Sequence, residues 1–308
     1  MQIHHHWQGL AETARGASVA MGNFDGVHLG HQSVIDRARR ADQPLGIVTF
    51  EPHPRQHFAP DAPTFRLMNA EARANRLAKL GVQSLFELPF DAALAGLSPE
   101  AFAREVLAEG LGVAHVVVGS DFCFGKGRSG KAADLQALGQ RFGFEVTIAP
   151  LLAVGGVEVS STAIRTALAD GRPRDAAAML GHWHRIEGEV IHGEKRGREL
   201  GYPTANMSVA GLHLPRLGVY AVRADVLTGP QAGSYMGAAS LGVRPMFGVN
   251  QPNLETFLLD FKGDLYGQHL SIGFVDFLRP ELKFDGLPAL IAQMEADCTK
   301  ARGILSAL

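Results

Sequence analysis

Two hydrophobic periods follow one another along this chain. From Ser18 to Ile164, short apolar runs alternate with amphipathic stretches. The runs "VAMG", "LGIVTF", "SLFELPF", "HVVVGSDF" and "FEVTIAP" read as buried strands. Between them, "HQSVIDRARRA", "AEARANRLAKLG", "SPEAFAREVLAEGLG" and "AADLQALGQRFG" carry the helical period and end at alanine or glycine. Strand–helix alternation of this kind predicts an α/β domain built on a parallel, doubly wound sheet. Ligands of such sheets bind outside the carboxyl ends of the strands. The loops "GNFDGVHLGH" (22–31), "TFEPHPR" (49–55) and "GSDFCFGKGRSG" (119–130) fall there, and they hold the least ordinary residues of the chain.

After "TAIRTALADGRPRDAAAMLG" (162–181) the period changes. "HRIEGEVIHG", "GVYAVRADVL", "SYMGAASLGV", "LETFLLDF" and "QHLSIGFVDFL" are strand-like and broken by Gly, Pro and Asn, with no helical pattern between them. Antiparallel pairing into a small β-barrel follows. The closing "DGLPALIAQMEADCTKARGIL" predicts a C-terminal helix whose Leu287, Leu290, Ile291 and Met294 share one face, suited to packing on the barrel. These patterns place a domain boundary near residue 183, dividing the chain into 1–183 and 184–308.

A length of 308 residues suits two domains. The formal charge of −2 argues against a nucleic-acid partner or a membrane-adsorbing face. No apolar run approaches the roughly 18 residues needed to span a bilayer. The N-terminus lacks the basic region and apolar core of a signal peptide, and the expected location is the cytoplasm. Cys123 and Cys298 form no zinc spacing and suit a reducing compartment. His4, His5 and His6 are expected to form a solvated tail. Oligomeric state stays open between a monomer and a weak homo-oligomer.

The decamer 22–31 follows a strand and leads into a helix, an arrangement that aims backbone N–H groups and a positive helix end at an anion. Gly22, Gly26 and Gly30 permit close approach of backbone to phosphate. The spacing is not GxGxxG, so the dinucleotide fingerprint is absent. His28 and His31 lie on one side of the helix start, where both can donate to phosphate oxygens as charge builds in a transition state. A Gly-rich turn with a surface histidine pair explains less well why Asn23, Asp25, His28 and His31 occur together.

His28-Leu29-Gly30-His31 matches the HxGH signature of the α/β nucleotidyltransferases. The whole decamer resembles the form found in bacterial bifunctional riboflavin kinase/FAD synthetases, and the likeness continues in "TFEPHP" (49–54), "DFCFG" (121–125) and "SSTAIR" (160–165). The resemblance implies a Rossmann-like nucleotidyltransferase domain in which ATP lies against Gly22, Asn23, Phe24, Asp25, Gly30, Ser160, Ser161 and Thr162. It further implies that His28, His31 and Arg165 act on the phosphates, and that a flavin sits by Phe50, Asp121, Phe122 and Phe124.

The chemistry agrees with these residue types. When the phosphate of FMN attacks the α-phosphorus of ATP, the nucleophile is already an anion, because the second pKa of a phosphate monoester is about 6. A site of donors then suffices to orient two anions and stabilise the leaving pyrophosphate. Ser160 or Ser161 can cap a helix ending at Gly171, with Arg165 in its first turns. "GKGRSGKA" (125–132) is nearly a P-loop, but Ala132 lacks the required hydroxyl, and the stretch reads as a flexible loop from which Arg128 reaches a phosphate. His53 and His57, among two prolines, read as surface residues of a turn.

In the second half, "GEKRGRELGYPTANM" (193–207) is a basic, glycine-bearing loop running into an extended segment. Thr204 and Asn206 alternate there, so a hydroxyl and an amide oxygen can face one way and ligate Mg²⁺. Glu255 opens an apolar strand on one face with Phe257 and Leu259, an expensive place for a carboxylate without a task. PTAN, the GVYA turn and a Glu before "DLYG" resemble the riboflavin kinase module. That resemblance implies nucleotide contacts at Gly193, Lys195, Gly197, Arg198, Pro203, Thr204 and Asn206, Mg²⁺ on Thr204 and Asn206, and Glu255 as general base. An alcohol holds its proton at neutral pH, so a base is useful in this half. Ser240, Met246 and Tyr202 depart from the more usual Asn, Thr and Phe of that module.

The expected activity is bifunctional: riboflavin to FMN in the C-terminal barrel, FMN to FAD in the N-terminal domain, with ATP as co-substrate and Mg²⁺ as cofactor. The alternatives are a nucleotidyltransferase with another acceptor, one joined to a non-catalytic flavin-sensing barrel, and an aminoacyl-ligase relative. The last lacks a KMSKS-like segment and a basic face for tRNA.

Overall fold

The computed structural model describes residues 1–192, 202–246 and 249–308. The chain divides into two compact units, Met1–Pro63 with Arg73–Ser160, and Thr64–Ala72 with Ser161–Leu308.

The first unit is built on a six-stranded parallel sheet: β1 (Gln2–His4), β2 (Ser18–Met21), β3 (Leu45–Glu51), β4 (Ser84–Pro89), β5 (His115–Gly119) and β6 (Glu145–Ala149). The spatial order is β1-β4-β3-β2-β5-β6. Strand order therefore reverses between β2 and β5, the switch point beside which ligands of such sheets bind. All of β2 and nearly all of β5 are buried, which is why their sequences read as continuous apolar runs. Helices α1 (Leu29–Arg37), α2 (Phe102–Leu111, wound as a π-helix) and α3 (Ala132–Phe142) belong to this unit. α3 stops where Gly143 turns left-handed at φ +87°.

The N-terminal histidines are not a free tail, although His5 and His6 are exposed. Gln2–His4 pairs in parallel with Ser84–Phe86, the His4 ring stacks on Phe86 at 5.2 Å, and His5 lies 3.6 Å from the Glu87 carboxylate. Three residues are too few for a period, and what places them is hydrogen bonding to the open edge of β4.

In the second unit, β7 (His184–Glu189), β8 (Ala205–Ser208), β9 (Gly218–Val226), β10 (Gly233–Met246), β11 (Val249–Leu258) and β12 (His269–Arg279) form an antiparallel sheet. Its order is β7-β12-β9-β10-β11-β8, and an Ile191–Asn206 bridge nearly closes the barrel. Inside it pack Ile186, Met207, Tyr220, Val222, Leu254 and Phe274. Outside, Val219, Ala221 and Val275 are covered by Ala301 and Leu305 of α6 (Leu287–Ser306). The predicted packing face is thus displaced along the helix. Leu287 is 57% exposed, and Leu290, Ile291 and Met294 are half-buried. The helix is pinned nearer its C-terminus, where Arg279 makes a forked ion pair with Asp297 at 2.7–3.0 Å. Before the barrel, α4 (Ser161–Ala169) and α5 (Pro173–Leu180) pack through Ile164, Leu168, Ala176 and Leu180.

Candidate active sites

The loop leaving β2 doubles back through three left-handed residues, Phe24 (φ +52°), Gly26 (φ +88°) and Val27 (φ +43°). For Phe and Val that conformation costs on the order of 1–3 kcal/mol each. Both side chains are fully buried, and such burial contributes roughly 1.5–3 kcal/mol apiece, enough to offset the strain. The loop's apolar side chains therefore point inward and hold its backbone in one shape.

His28 then caps α1. Its Nδ1 accepts the backbone N–H of His31 at 3.2 Å, so the neutral imidazole carries its proton on Nε2. The two rings stack with centroids 3.6 Å apart and planes at 16°, and Phe24 lies 5.2 Å from the His31 ring. Gly30 makes the stack possible, because a Cβ there would stand 3.1 Å from two atoms of the His28 ring. Burial, and then the neighbouring His28, hold His31 well below the usual imidazole pKa. Among the described residues, its Nδ1 is buried without a hydrogen-bond partner. A neutral, stacked pair at a helix N-terminus is suited to receive anionic oxygens, whose charge would draw protons onto the rings.

Sequence reasoning missed Arg73. It is 1% exposed and donates to Glu51 at 2.8 Å, to Glu87 at 2.7 Å and to the carbonyl of Asn23 at 3.4 Å. Thr49 Oγ1 donates to the same carbonyl at 3.2 Å. One buried cation thus ties the ends of β3 and β4 to the loop that carries Asn23 and Phe24. In "AEARANRLAKLG" it reads as one more residue of a charged helix face, and no one-dimensional signal distinguishes it.

Phe50, next to last in β3, has its ring centroid 5.7 Å from Phe90 and 6.4 Å from Phe102. Phe102 in turn lies 5.8 Å from Phe124, which stacks on Phe122 at 5.8 Å. The predicted flavin residues Phe50, Phe122 and Phe124 therefore join one aromatic chain, with Phe124 in the core. Asp121 is exposed. The stretch expected as a flexible loop is a small hairpin, Cys123–Phe124 against Gly130–Lys131, with exposed Arg128 at its turn (φ +56°). His53 is not a surface residue either. It is buried, and its Nδ1 caps the short helix Pro54–Phe58 by accepting the Arg55 N–H at 3.0 Å. His57 packs its ring against Phe58 and Phe90.

Ser160 closes the first unit, whereas Ser161, Thr162 and Arg165 belong to the second. α4 begins at Ser161 and ends at Ala169, short of Gly171. Arg165 donates from Nε to the Phe65 carbonyl at 2.6 Å, with its guanidinium 5.5 Å from the Phe65 ring centre.

In the barrel, register explains the second cluster. Asn206 and Ser240 are both directly opposite Glu255, on either side of β11, so the three side chains share a face with Asn253 two residues earlier. That face is polar around Glu255, unlike the apolar surround expected from Phe257 and Leu259. Asn253 Nδ2 donates to Asn206 Oδ1 at 3.0 Å and to Glu255 Oε1 at 3.4 Å, while Asn206 Nδ2 donates to the Thr204 carbonyl at 3.2 Å. Pro203, Thr204 and Asn206 also line a cavity of about 330 Å³ with Leu258, Lys262 and Tyr266. Tyr202 packs edge-on against Phe257 at 5.1 Å, and burial, followed by Cys298 and Glu295, raises its hydroxyl pKa. Gly193, Lys195, Gly197 and Arg198 lie outside the described residues, as does the Met246 side chain.

The donors here suit a hard cation. Thr204 and Asn206 offer neutral oxygens, and among the described residues the Asn253 Oδ1 is buried without a partner. Among the described residues no group of three His, Cys, Asp or Glu is arranged to hold a metal by itself. A cation in this face would have to share its ligands with phosphates, as Mg²⁺ does.

The family description "FAD synthetase" matches residues 10–163 and "Riboflavin kinase" matches residues 180–305. The chain is 40% identical to the bifunctional riboflavin kinase/FMN adenylyltransferase of Pseudomonas fluorescens, over 99% of this chain and 98% of that one. It is 38% identical to the Escherichia coli K12 protein of the same name, over 93% and 92%. A crystal structure described as a macrolide-efflux protein from Streptococcus pneumoniae superposes with a TM-score of 0.81 at 30% identity, covering 96% of each chain. Among the described residues, no helix is long and apolar enough to cross a membrane. The chain belongs to the bifunctional riboflavin kinase/FMN adenylyltransferases and is a transferase, with the two catalytic modules in the order read from its sequence.

Proposed function

We propose that residues 1–183 transfer AMP from ATP to FMN around the His28–His31 stack, and that residues 184–308 phosphorylate riboflavin around Glu255. The observation that carries the reading is the contrast between a site of donors at the sheet's switch point and a site with a carboxylate on the barrel.

In the first reaction an oxygen of the FMN phosphate bonds to the α-phosphorus of ATP. The bond from that phosphorus to the bridging oxygen breaks, and pyrophosphate leaves with the electron pair. His28, through Nε2–H, and His31 donate to phosphate oxygens that gain charge. Gly22, Asn23, Asp25 and Gly30 let the backbone come close to the polyphosphate, and Phe50, Phe122 and Phe124 border the flavin. Asp121 and Arg128 are assigned to the rim of that pocket.

In the second, Glu255 takes the proton of the terminal ribityl hydroxyl as its oxygen bonds to the γ-phosphorus, and ADP leaves. Thr204 and Asn206 hold Mg²⁺, which offsets the charge of the phosphates when bound. The oxygen-only donor set supports that assignment. The reading of the barrel as a non-catalytic sensor is not favoured, since it carries the carboxylate and the oxygen ligands that the kinase chemistry uses. We place both reactions in the cytoplasm, a compartment that suits the two free thiols.

Flavin chromatography tests this reading. Purified protein with riboflavin, ATP and Mg²⁺ is expected to yield FMN and then FAD, and a second reaction started from FMN is expected to yield FAD. FAD from FMN with nothing from riboflavin would overturn the kinase half, and no product from either would overturn both.

A further inference from the structure

We propose that Asn253 is a positioning residue of the kinase half: its side-chain amide holds the Glu255 carboxylate in its working geometry and braces it against Asn206. The inference rests on the assignment of Glu255 as base.

Strand alternation puts residues 253 and 255 on one face, and the β8–β11 register puts Asn206 across from Glu255. Asn253 therefore sits diagonal to Asn206 and beside Glu255, the one place from which a single amide reaches both. An amide nitrogen has two protons, one for each acceptor. The observed distances are 3.0 Å to Asn206 Oδ1 and 3.4 Å to Glu255 Oε1. Asn206 is fixed from its other end by donation to the Thr204 carbonyl, so its oxygen stays turned toward Asn253.

Among the described residues, the arrangement leaves the Asn253 Oδ1 buried and without a partner. Buried carbonyl oxygens are nearly always bonded, so a residue retained for packing alone would be better apolar. What the amide supplies is an N–H aimed at a carboxylate that must be ionised to act. A fixed acceptor loses less orientation on reaching the transition state.

The test compares the full-length wild type with Asn253→Leu, Asn253→Asp and Glu255→Gln, measuring riboflavin kinase kcat and KM at neutral pH. Asn253→Leu removes the donor at similar volume, and Asn253→Asp replaces it with an acceptor. The expected results are a kcat about tenfold lower for Asn253→Leu and lower still for Asn253→Asp, with riboflavin KM within about twofold in both. A structural role alone would lower the melting temperature without that split between kcat and KM. A wild-type kcat, or a loss carried by KM, in folded variants verified by near-UV circular dichroism and thermal melting overturns the inference. If Asn253→Asp does not fold, Asn253→Leu decides. Kinase activity retained in Glu255→Gln removes the base itself, a failure distinct from that of Asn253, and the inference falls with it.

Discussion

Around His28 the polar groups come from one continuous stretch of ten residues, whereas around Glu255 they come from three strands. The first cluster is fixed by local devices: a strained loop with buried Phe24 and Val27, a histidine cap, and a glycine that makes room for a ring. The second is fixed by register, which sets Asn206 and Ser240 on either side of Glu255. On the proposed assignment of one reaction to each cluster, the difference follows from the nucleophile. A phosphate arrives already charged and needs donors, which a helix N-terminus concentrates in a few residues. An alcohol needs a base whose ionisation is controlled, and neighbouring strands can surround a carboxylate with neutral donors.

The largest effects expected separate the two clusters. Glu255→Gln should lower FMN formation by roughly 10²-fold or more, the scale of a lost base, and leave adenylylation of FMN nearly intact. His28→Ala should do the reverse, lowering FAD formation from FMN by about 10²–10³-fold, the scale of a lost transition-state donor. Steady-state rates of each half-reaction check both. Equal losses in both reactions would break the comparison.

A smaller effect sharpens the local half. Gly30→Ala places a methyl 3.1 Å from the His28 ring, which must shift by a few tenths of an ångström. Adenylylation should fall about tenfold, the cost of displacing one catalytic group by a fraction of an ångström, with kinase activity unchanged.

The histidine stack also predicts a proton signature. Because His31 is held well below its ordinary pKa in the empty protein, the negative charge of ATP should raise it and draw a proton from solution. Calorimetry of ATP binding near pH 6, in buffers of different ionisation enthalpy, should show net proton uptake. His31→Gln should abolish most of it.

The smallest effect concerns stability. His184, buried at the start of β7, has its pKa pushed down to about 3, by burial first and then by His182 and His213. The unfolded chain would bind that proton near pH 6.5, so the folded state loses stability as pH falls from there toward 3. At pH 4.5 the loss is roughly 2–3 kcal/mol for this one group. Thermal melting from pH 7 to 4.5 should show a smaller drop in His184→Leu than in the wild type.

Much of this was legible along the chain. The two hydrophobic periods gave away the parallel sheet and the antiparallel barrel, because burial on both faces of a strand and on one face leave different patterns. The HxGH decamer and Glu255 stood out because their residue types are costly without a task. The edge strand Gln2–His4 did not, being too short for any period and held by backbone bonding. Arg73 and Asn253 did not either. Each is an ordinary polar residue until the fold closes around it, and their partners lie across other elements. The packing face of α6 was misplaced because its apolar stripe is longer than the surface that covers it.

The most direct test of two independent chemistries mixes the two disabled proteins. Glu255→Gln alone, given riboflavin and ATP, should form almost no FMN, and His28→Ala alone should stop at FMN. Combined in one vessel, they should carry riboflavin through to FAD, with free FMN passing from the intact kinase to the intact adenylyltransferase. A mixture that still fails to make FAD, while supplied FMN is adenylylated by Glu255→Gln, would contradict the assignment of one reaction to each cluster.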